Sequence, residues 1–138
     1  MEPEEEIKKI FQKTKKINCP AFPGETVRLN AKGVNHLIYK GARSKRDSNR
    51  IQTNLRVLPS AIKLLKLMPI AQEESFHEGK DGKIRKYCAF EGVVDERRIK
   101  VIIRQVGNGQ KHFYGVIPFW RKDRFGKVVN SKSDLSEE

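Results

Sequence analysis

The spacing of hydrophobic residues changes once along the chain, from a helical period to a strand-like one. Residues 3–16, 33–40 and 48–58 place apolar side chains three or four positions apart, which predicts helices with one buried face. After residue 84 the sequence is rich in Val, Ile, Phe and Tyr, which favour β-strands. Helices followed by strands predict an α+β domain with the helices packed on one face of a sheet.

Proline and capping residues set the limits of the predicted helices. Residues 18–24 contain two prolines that end the first helix, and residues 25–30 have the pattern of a short strand. Asp47 or Ser48 can cap the third helix by accepting a hydrogen bond from its first turn. Pro59 is expected to start a separate helical segment, because proline is tolerated in the first turn of a helix.

The last third of the chain predicts three strands, over residues 85–94, 98–106 and 110–120. Short polar or glycine-containing connections separate them, so we expect an antiparallel meander in a sheet of three to four strands. Residues 70–84 lack any hydrophobic period and are expected to form an exposed polar loop, with His77 solvated in it.

The chain of 138 residues has the size of one domain with one hydrophobic core. We predict an N-terminal helical arm over residues 1–24, a single α+β domain over residues 25–120, and a polar, mobile tail over residues 121–138. No apolar run approaches the roughly 20 residues that cross a bilayer, and the acidic N-terminus differs from a secretory signal. Cys19 and Cys88 lack Cys-x-x-Cys spacing, which predicts reduced thiols in a cytoplasmic protein without membrane contact.

Charge changes this picture by indicating a polyanionic partner. The sequence has 29 Lys and Arg against 17 Asp and Glu, a net charge of +12 and a pI near 9.9. Seven of the acids lie in residues 1–6 and 134–138, so residues 7–133 carry 29 cations against 10 acids, or +19. Such a surface favours nucleic acid, whose condensed counterions are released on binding. We expect RNA in preference to DNA, because the candidate chemistry described next needs a 2′-hydroxyl.

The glycine-containing loop of residues 107–109 sets the register of the last two strands. A three-residue loop places Arg104 opposite His112, with Tyr114 on the same face, whereas a tighter two-residue turn places Gln105 beside His112. We prefer the first register because it aligns the apolar residues of both strands. Alternation along the last strand predicts that its core-facing residues are Phe113, Gly115, Ile117 and Phe119.

A cluster of Arg104, His112 and Tyr114, with His36 from a helix, has the groups needed to cleave RNA without a metal or another cofactor. A base removes the proton of the 2′-hydroxyl, which attacks the adjacent phosphorus, while an acid protonates the departing 5′-oxygen. Histidine suits such proton transfers because its ordinary pKa is near 6.5. Arginine stays charged and makes two hydrogen bonds to a phosphate group, and tyrosine can hold the phosphate or stack on a base.

The hairpin sequence also resembles a known family. Residues 104–116 run Arg-Gln-Val-Gly-Asn-Gly-Gln-Lys-His-Phe-Tyr-Gly-Val after Ile102-Ile103, and a Val-Asn-His-Leu helix lies upstream at residues 34–37. This pattern is similar to the terminal hairpin of phage-type members of the barnase, EndoU, colicin and RelE nuclease superfamily, over roughly residues 26–120. Gly115 departs from it, because several relatives have a small hydroxyl residue there.

The resemblance implies N-terminal helices, a four-stranded antiparallel sheet and metal-independent RNA cleavage. By this analogy the chain is a small endoribonuclease of toxin or phage type. The implied catalytic residues are His36, Arg104, His112 and Tyr114, and the implied substrate-binding residues are Lys40, Arg43, Arg46 and Lys111.

Other functions and plainer roles also fit the sequence. The same basic face can serve a non-catalytic RNA- or DNA-binding module, or a protein-interaction domain that an acidic antitoxin or immunity protein covers. The three histidines show no metal-binding spacing, so metal catalysis is the least favoured alternative. The plainer roles are a helix-surface histidine for His36, a solvent-facing histidine for His112, a packing aromatic for Tyr114 or Trp120, and an ion pair with Glu91 for Arg104.

Overall fold

A computed structural model describes residues 2–40 and 44–118 of the chain. Within these residues there are three helices: α1 (Pro3–Lys13), α2 (Ala31–Ile38) and α3 (Ser48–Leu67). The strands of the same residues are β1 (Lys16–Ile17), β2 (Val27–Arg28), β3 (Tyr39–Lys40), β4 (Ser44–Lys45), β5 (Glu73–Glu78), β6 (Ile84–Val94), β7 (Arg97–Val106) and β8 (His112–Pro118). The predicted α+β class is therefore confirmed.

The main sheet has six strands in the order β1-β2-β8-β7-β6-β5, more than the three to four expected. The pairing is antiparallel except between β2 and β8, which are parallel, while β3 and β4 form a separate two-stranded ribbon. Strand β5 lies within the segment expected to be a loop. All six of its side chains are exposed, so it shows no apolar alternation, and its backbone pairs with β6 along the sheet edge.

Helix α3 is one continuous helix, and the expectation of a new segment at Pro59 is wrong. Proline removes one backbone donor from a helix interior. Here Leu58, Ala61 and Leu65 are almost completely buried, and this apolar face continues past the proline. The predicted cap is confirmed, because the carboxylate of Asp47 accepts a hydrogen bond of 2.8 Å from the backbone N–H of Arg50.

The core lies between the helices and one face of the sheet. Helix α1, which falls within the predicted arm of residues 1–24, contributes the buried Ile7 and Phe11. The Phe11 ring packs edge-on against Phe113 of β8, with 5.6 Å between centroids. Val101 and Ile103 of β7 also face this core. Intervening β7 residues face the other side of the sheet, which we call the open face because its side chains are partly exposed.

The predicted faces of β8 are wrong beyond Phe113, because the strand has a β-bulge at Tyr114. Ile103 pairs with Phe113 but Ile102 pairs with Gly115, so Tyr114 is an extra residue without a cross-strand partner. Beyond the bulge the alternation is shifted by one position. The core residues of β8 are therefore Phe113 and Val116, whereas Gly115 and Ile117 lie opposite open-face residues. Phe119 lies outside the described residues.

The preferred hairpin register is confirmed, because Arg104 pairs with His112. Cys19 and Cys88 are buried free thiols, and burial raises the pKa of both. None of the described helices is long and apolar enough to cross a membrane. The predicted tail over residues 121–138 lies outside the described residues.

Candidate functional site

Arg104 and His112 meet side by side on the open face. The guanidinium Nε of Arg104 donates a hydrogen bond of 3.2 Å to Nε2 of His112. His112 is only 4% exposed, and burial, with the positive charges of Arg104 and Lys32, lowers its pKa to about 4. The imidazole of His112 is therefore neutral at pH 7, and its accepting nitrogen is occupied by Arg104.

Tyr114 links this pair to His36 of α2. The Cζ atom of Arg104 lies 4.5 Å from the centroid of the Tyr114 ring, within the range of a cation–π contact. The imidazole of His36 stacks on Tyr114, with 4.2 Å between centroids and 29° between planes. The four predicted catalytic side chains thus form one contiguous cluster, which we call the His-Arg-Tyr cluster.

Close packing of α2 on β8 brings His36 to this position. A Cβ atom at Gly33 would lie 2.5 Å from the backbone oxygen of Phe113 and 2.9 Å from the ring of Phe11. Only glycine therefore permits this separation between helix and strand. His36 follows one turn later along α2, where it reaches the ring of Tyr114.

Three arginines make the surroundings of His36 electropositive. Burial and the charges of Arg46, Arg104 and Arg50 lower the pKa of His36 to about 4. Arg46 is 7% exposed, and its Nε donates a hydrogen bond of 3.0 Å to the backbone oxygen of His36. Among the described residues Nδ1 of His36 is buried without a hydrogen-bond partner. This concentration of positive charge favours a bound anion.

The sequence indicates Arg50 only as one of several cations in the basic connection before α3, whereas its side chain connects α3 to the neighbouring elements. Its Nε donates to Oδ1 of Asn54 at 3.1 Å, and one Nη donates to the backbone oxygen of Val116 at 3.4 Å. Asn54 in turn donates to the backbone oxygen of Leu37 in α2 at 2.9 Å. The sequence signal for this contact is that Arg50 and Asn54 are polar residues four positions apart on the mostly apolar buried face of α3.

A row of aromatic rings extends from the cluster across the open face. The ring of Tyr87 lies 5.5 Å from Tyr114, and the ring of His77 lies 5.6 Å from Tyr87, both in edge-to-face geometry. Beside this row is a groove of about 490 Å³, whose lining also includes Ile102, Lys100 and the acidic residues Glu73 and Glu74. Lys100 is paired with Glu73, with 2.9 Å between Nζ and Oε2. The sequence analysis did not place Tyr87 at the site, because its position depends on the pairing of β6 with β7, which sets Tyr87 opposite Arg104. His77 was expected in a loop but lies on the edge strand β5.

The predicted substrate-binding residues divide between the cluster and other places. Arg46 lies beside His36, as described above. Lys40 is exposed on the β3–β4 ribbon, opposite Ser44, and Arg43 lies outside the described residues. Lys111 is 7% exposed, and its Nζ donates to the carboxylate of Glu25 at 2.8 Å, so it is not brought to the cluster.

The anticipated ion pair between Arg104 and Glu91 does not form. Glu91 pairs instead with Arg98, with 3.1 Å between Oε1 and Nη1. Among residues 2–40 and 44–118, no group of three His, Cys, Asp or Glu side chains is arranged to hold a metal ion. Comparison of the chain with protein-family models, with curated proteins and with solved structures finds no match.

Proposed function

We propose that this protein is a metal-independent endoribonuclease that cleaves single-stranded RNA through attack of a 2′-hydroxyl on the adjacent phosphate. The observation that supports this proposal is the convergence of His36, Arg104, His112 and Tyr114 from α2, β7 and β8. Groups from distant segments of the chain are linked through the ring of Tyr114, and we propose that they act together on one phosphodiester. The surrounding positive charge suits a phosphate that gains negative charge in the transition state.

His36 is proposed as the general base. At pH 7 its imidazole is neutral, which is the form that accepts the proton of the 2′-hydroxyl. A pKa of about 4, caused first by burial and then by the arginine charges, makes a weak base. A bound phosphate would offset the arginine charges and so raise that pKa by their share of the shift. Substrate binding would thus strengthen the base where it is needed.

Arg104 is proposed to hold the phosphate, and His112 is proposed as a positioning residue. Because Nε of Arg104 is bonded to His112, the Nη groups are left to contact phosphate oxygens. The Tyr114 ring contacts both Arg104 and His36 and so fixes the positions of these two side chains relative to each other. In the reaction the bond between the 2′-oxygen and phosphorus forms, the bond to the 5′-oxygen breaks, and that oxygen takes a proton from water in the open groove.

A non-catalytic module for single-stranded RNA is the second candidate. The observation that favours it is the ring row of His77, Tyr87 and Tyr114 beside the groove, because aromatic rings stack on unpaired bases. The two candidates differ in turnover. The binding module would hold RNA on the open face and leave it intact.

The deciding experiment uses a DNA strand that contains one ribonucleotide, incubated with the protein in EDTA. The nuclease should cut only at the ribonucleotide and leave a 2′,3′-cyclic phosphate, identified by mass spectrometry. His36→Ala should reduce kcat by about 10²–10⁴, the usual contribution of a general base. Tyr114→Phe should retain most activity, because it keeps the ring that contacts His36 and Arg104.

Arg56→Ala is the matched control for Arg104→Ala, because Arg56 is exposed on α3 and lies outside the cluster. We expect Arg104→Ala to abolish cleavage and Arg56→Ala to preserve it. Intact strands with bound protein would support the binding module. Equal cleavage by both arginine variants, or cleavage of an all-DNA strand, would contradict the proposed reaction.

A further inference from the structure

A second, smaller pocket lies beside His112, on the hairpin-loop side of the cluster. Its volume is about 340 Å³, and its lining includes Arg28, Lys32, Lys83, His112 and Gln110. None of the described residues that line it carries a carboxylate. The pocket therefore presents three cations together with hydrogen-bonding groups, a combination that suits an anion.

These cations come from separate elements whose backbones are held together near His112. Arg28 lies on β2 opposite His112, and its backbone N–H donates to the oxygen of Lys111 at 2.9 Å. Lys83 follows the β5–β6 turn, which is tied to the hairpin loop by a hydrogen bond of 2.8 Å from Gly107 N–H to the oxygen of Ile84. The backbone at the pocket is thus fixed from two sides of His112.

Acids compensate the charges in the pocket only in part. The carboxylate of Asp81 interacts with the charge of Lys83, but it is paired with Arg85, with 3.0 Å between Oδ1 and Nη1. Within residues 2–40 and 44–118, Arg28, Lys32 and Lys83 form no ion pair. Elsewhere on the sheet cations do pair with carboxylates, as Lys86 does with Glu74. The three pocket cations instead surround a concave surface, where their mutual repulsion would be relieved by an anion.

The position of Lys32 supports the same conclusion. It lies in the first turn of α2, where the helix dipole disfavours positive charge, and that turn contains no acid. Helix α1 shows the opposite and stabilising arrangement, with Glu4, Glu5 and Glu6 in its first turn. An anion bound next to Lys32 would offset this unfavourable charge.

The pocket and the His-Arg-Tyr cluster share His112. The imidazole of His112 contacts Arg104 through Nε2 and lines the pocket. The charge of Lys32 is one of the causes that lower its pKa, after burial and Arg104. A strand whose scissile phosphate contacts Arg104 would therefore pass directly to the pocket. We propose that the pocket lined by Arg28, Lys32 and Lys83 binds a second backbone phosphate of the same single-stranded RNA. This inference rests on the proposed function, because it takes the strand across the cluster to be the substrate.

The test measures binding of a 2′-O-methyl RNA strand, which cannot be cleaved by 2′-hydroxyl attack. Lys32→Ala with Lys83→Ala is the pocket variant, and Arg56→Ala with Lys66→Ala is the matched control, which removes two exposed α3 cations. Affinity is measured by fluorescence anisotropy between about 50 and 200 mM salt. Loss of one phosphate contact should lower the log–log salt slope by about 0.7 in the pocket variant. The control should keep the wild-type slope.

The affinity loss should also be the same for uridine and adenosine strands, because a phosphate contact carries no sequence information. Equal slopes in the pocket and control variants would overturn the inference. Competition with inorganic phosphate at constant ionic strength identifies the source of the anion. Phosphate should weaken strand binding to the wild type toward the affinity of the pocket variant, and it should leave the affinity of the pocket variant unchanged. A pocket variant that no longer binds inorganic phosphate but binds the strand as tightly as the wild type would assign the pocket to free phosphate and overturn the strand proposal.

These outcomes separate the inference from the proposed function. A wild-type protein that binds the strand through the pocket but cuts no RNA would refute the nuclease and support the pocket. A wild-type protein that cuts RNA while its pocket variant binds like the control would refute the pocket alone.

Discussion

The free energy of unfolding should fall steeply as the pH is lowered from 7 to 5, because His36 and His112 resist protonation in the folded protein. Each has a folded pKa of about 4, against an ordinary value of 6.5. Between these two values the unfolded chain binds protons that the folded chain does not, so stability rises with pH there and is lost as the pH falls.

The magnitude follows from the difference in pKa. One pK unit corresponds to about 1.4 kcal/mol, so each histidine costs up to about 3 kcal/mol by pH 4. At pH 5 the cost is about 2 kcal/mol for each, or about 4 kcal/mol for both. This is a large fraction of the roughly 5–15 kcal/mol that stabilises a typical domain.

Urea unfolding followed by far-UV circular dichroism at pH 7, 6 and 5 measures this loss. His36→Gln and His112→Gln should each remove about half of it, since each eliminates one of the two titrations. His77→Gln is the matched control, because His77 is exposed on β5, and it should keep the wild-type pH dependence. If wild type and both variants lose the same free energy between pH 7 and 5, burial of these imidazoles is not the cause.

Substitutions at three further positions test other contacts of the fold. Gly33→Ala should lower the Tm, because overpacking against Phe113 costs about 1–3 kcal/mol and alanine gains only about 1 kcal/mol in helix propensity. An unchanged or higher Tm would show that α2 can shift away from β8. Asp47→Ala should reduce the free energy of unfolding in urea by about 0.5–2 kcal/mol, whereas Asp47→Asn should restore the cap. Lys111→Met should cost about 1 kcal/mol or less, because the side chain of Glu25 is 52% exposed. Lys111→Met should also leave RNA cleavage unchanged, and a loss of cleavage would place Lys111 at the substrate after all.

The sequence predicts the central features of the site because those features are periodic. Alternation along the last two strands aligns their apolar residues in one register, and that register sets Arg104 beside His112. The helical spacing of the segment around His36 also predicts a face that carries this residue. Long, regular elements are therefore accessible from the sequence.

The remaining features depend on tertiary contacts. Strand β5 is exposed at every position and is defined only by backbone pairing at an edge. Strands β1 and β2 have two residues each, too few to show a period. Pro59 stays inside a helix because the buried face of α3 outweighs one lost hydrogen bond. The contacts of Arg50 with Asn54 and Val116 join two elements and leave no local pattern.

The extra residue at Tyr114 has a consequence for how this strand tolerates change. Deleting Tyr114 would join Phe113 directly to Gly115, and Gly115 and Val116 would keep Ile102 and Val101 as partners, so the strand would become regular without exchanging its faces. The deletion would spare the core but remove the ring that contacts His36 and Arg104. The sheet can therefore do without the inserted residue, whereas the cluster cannot.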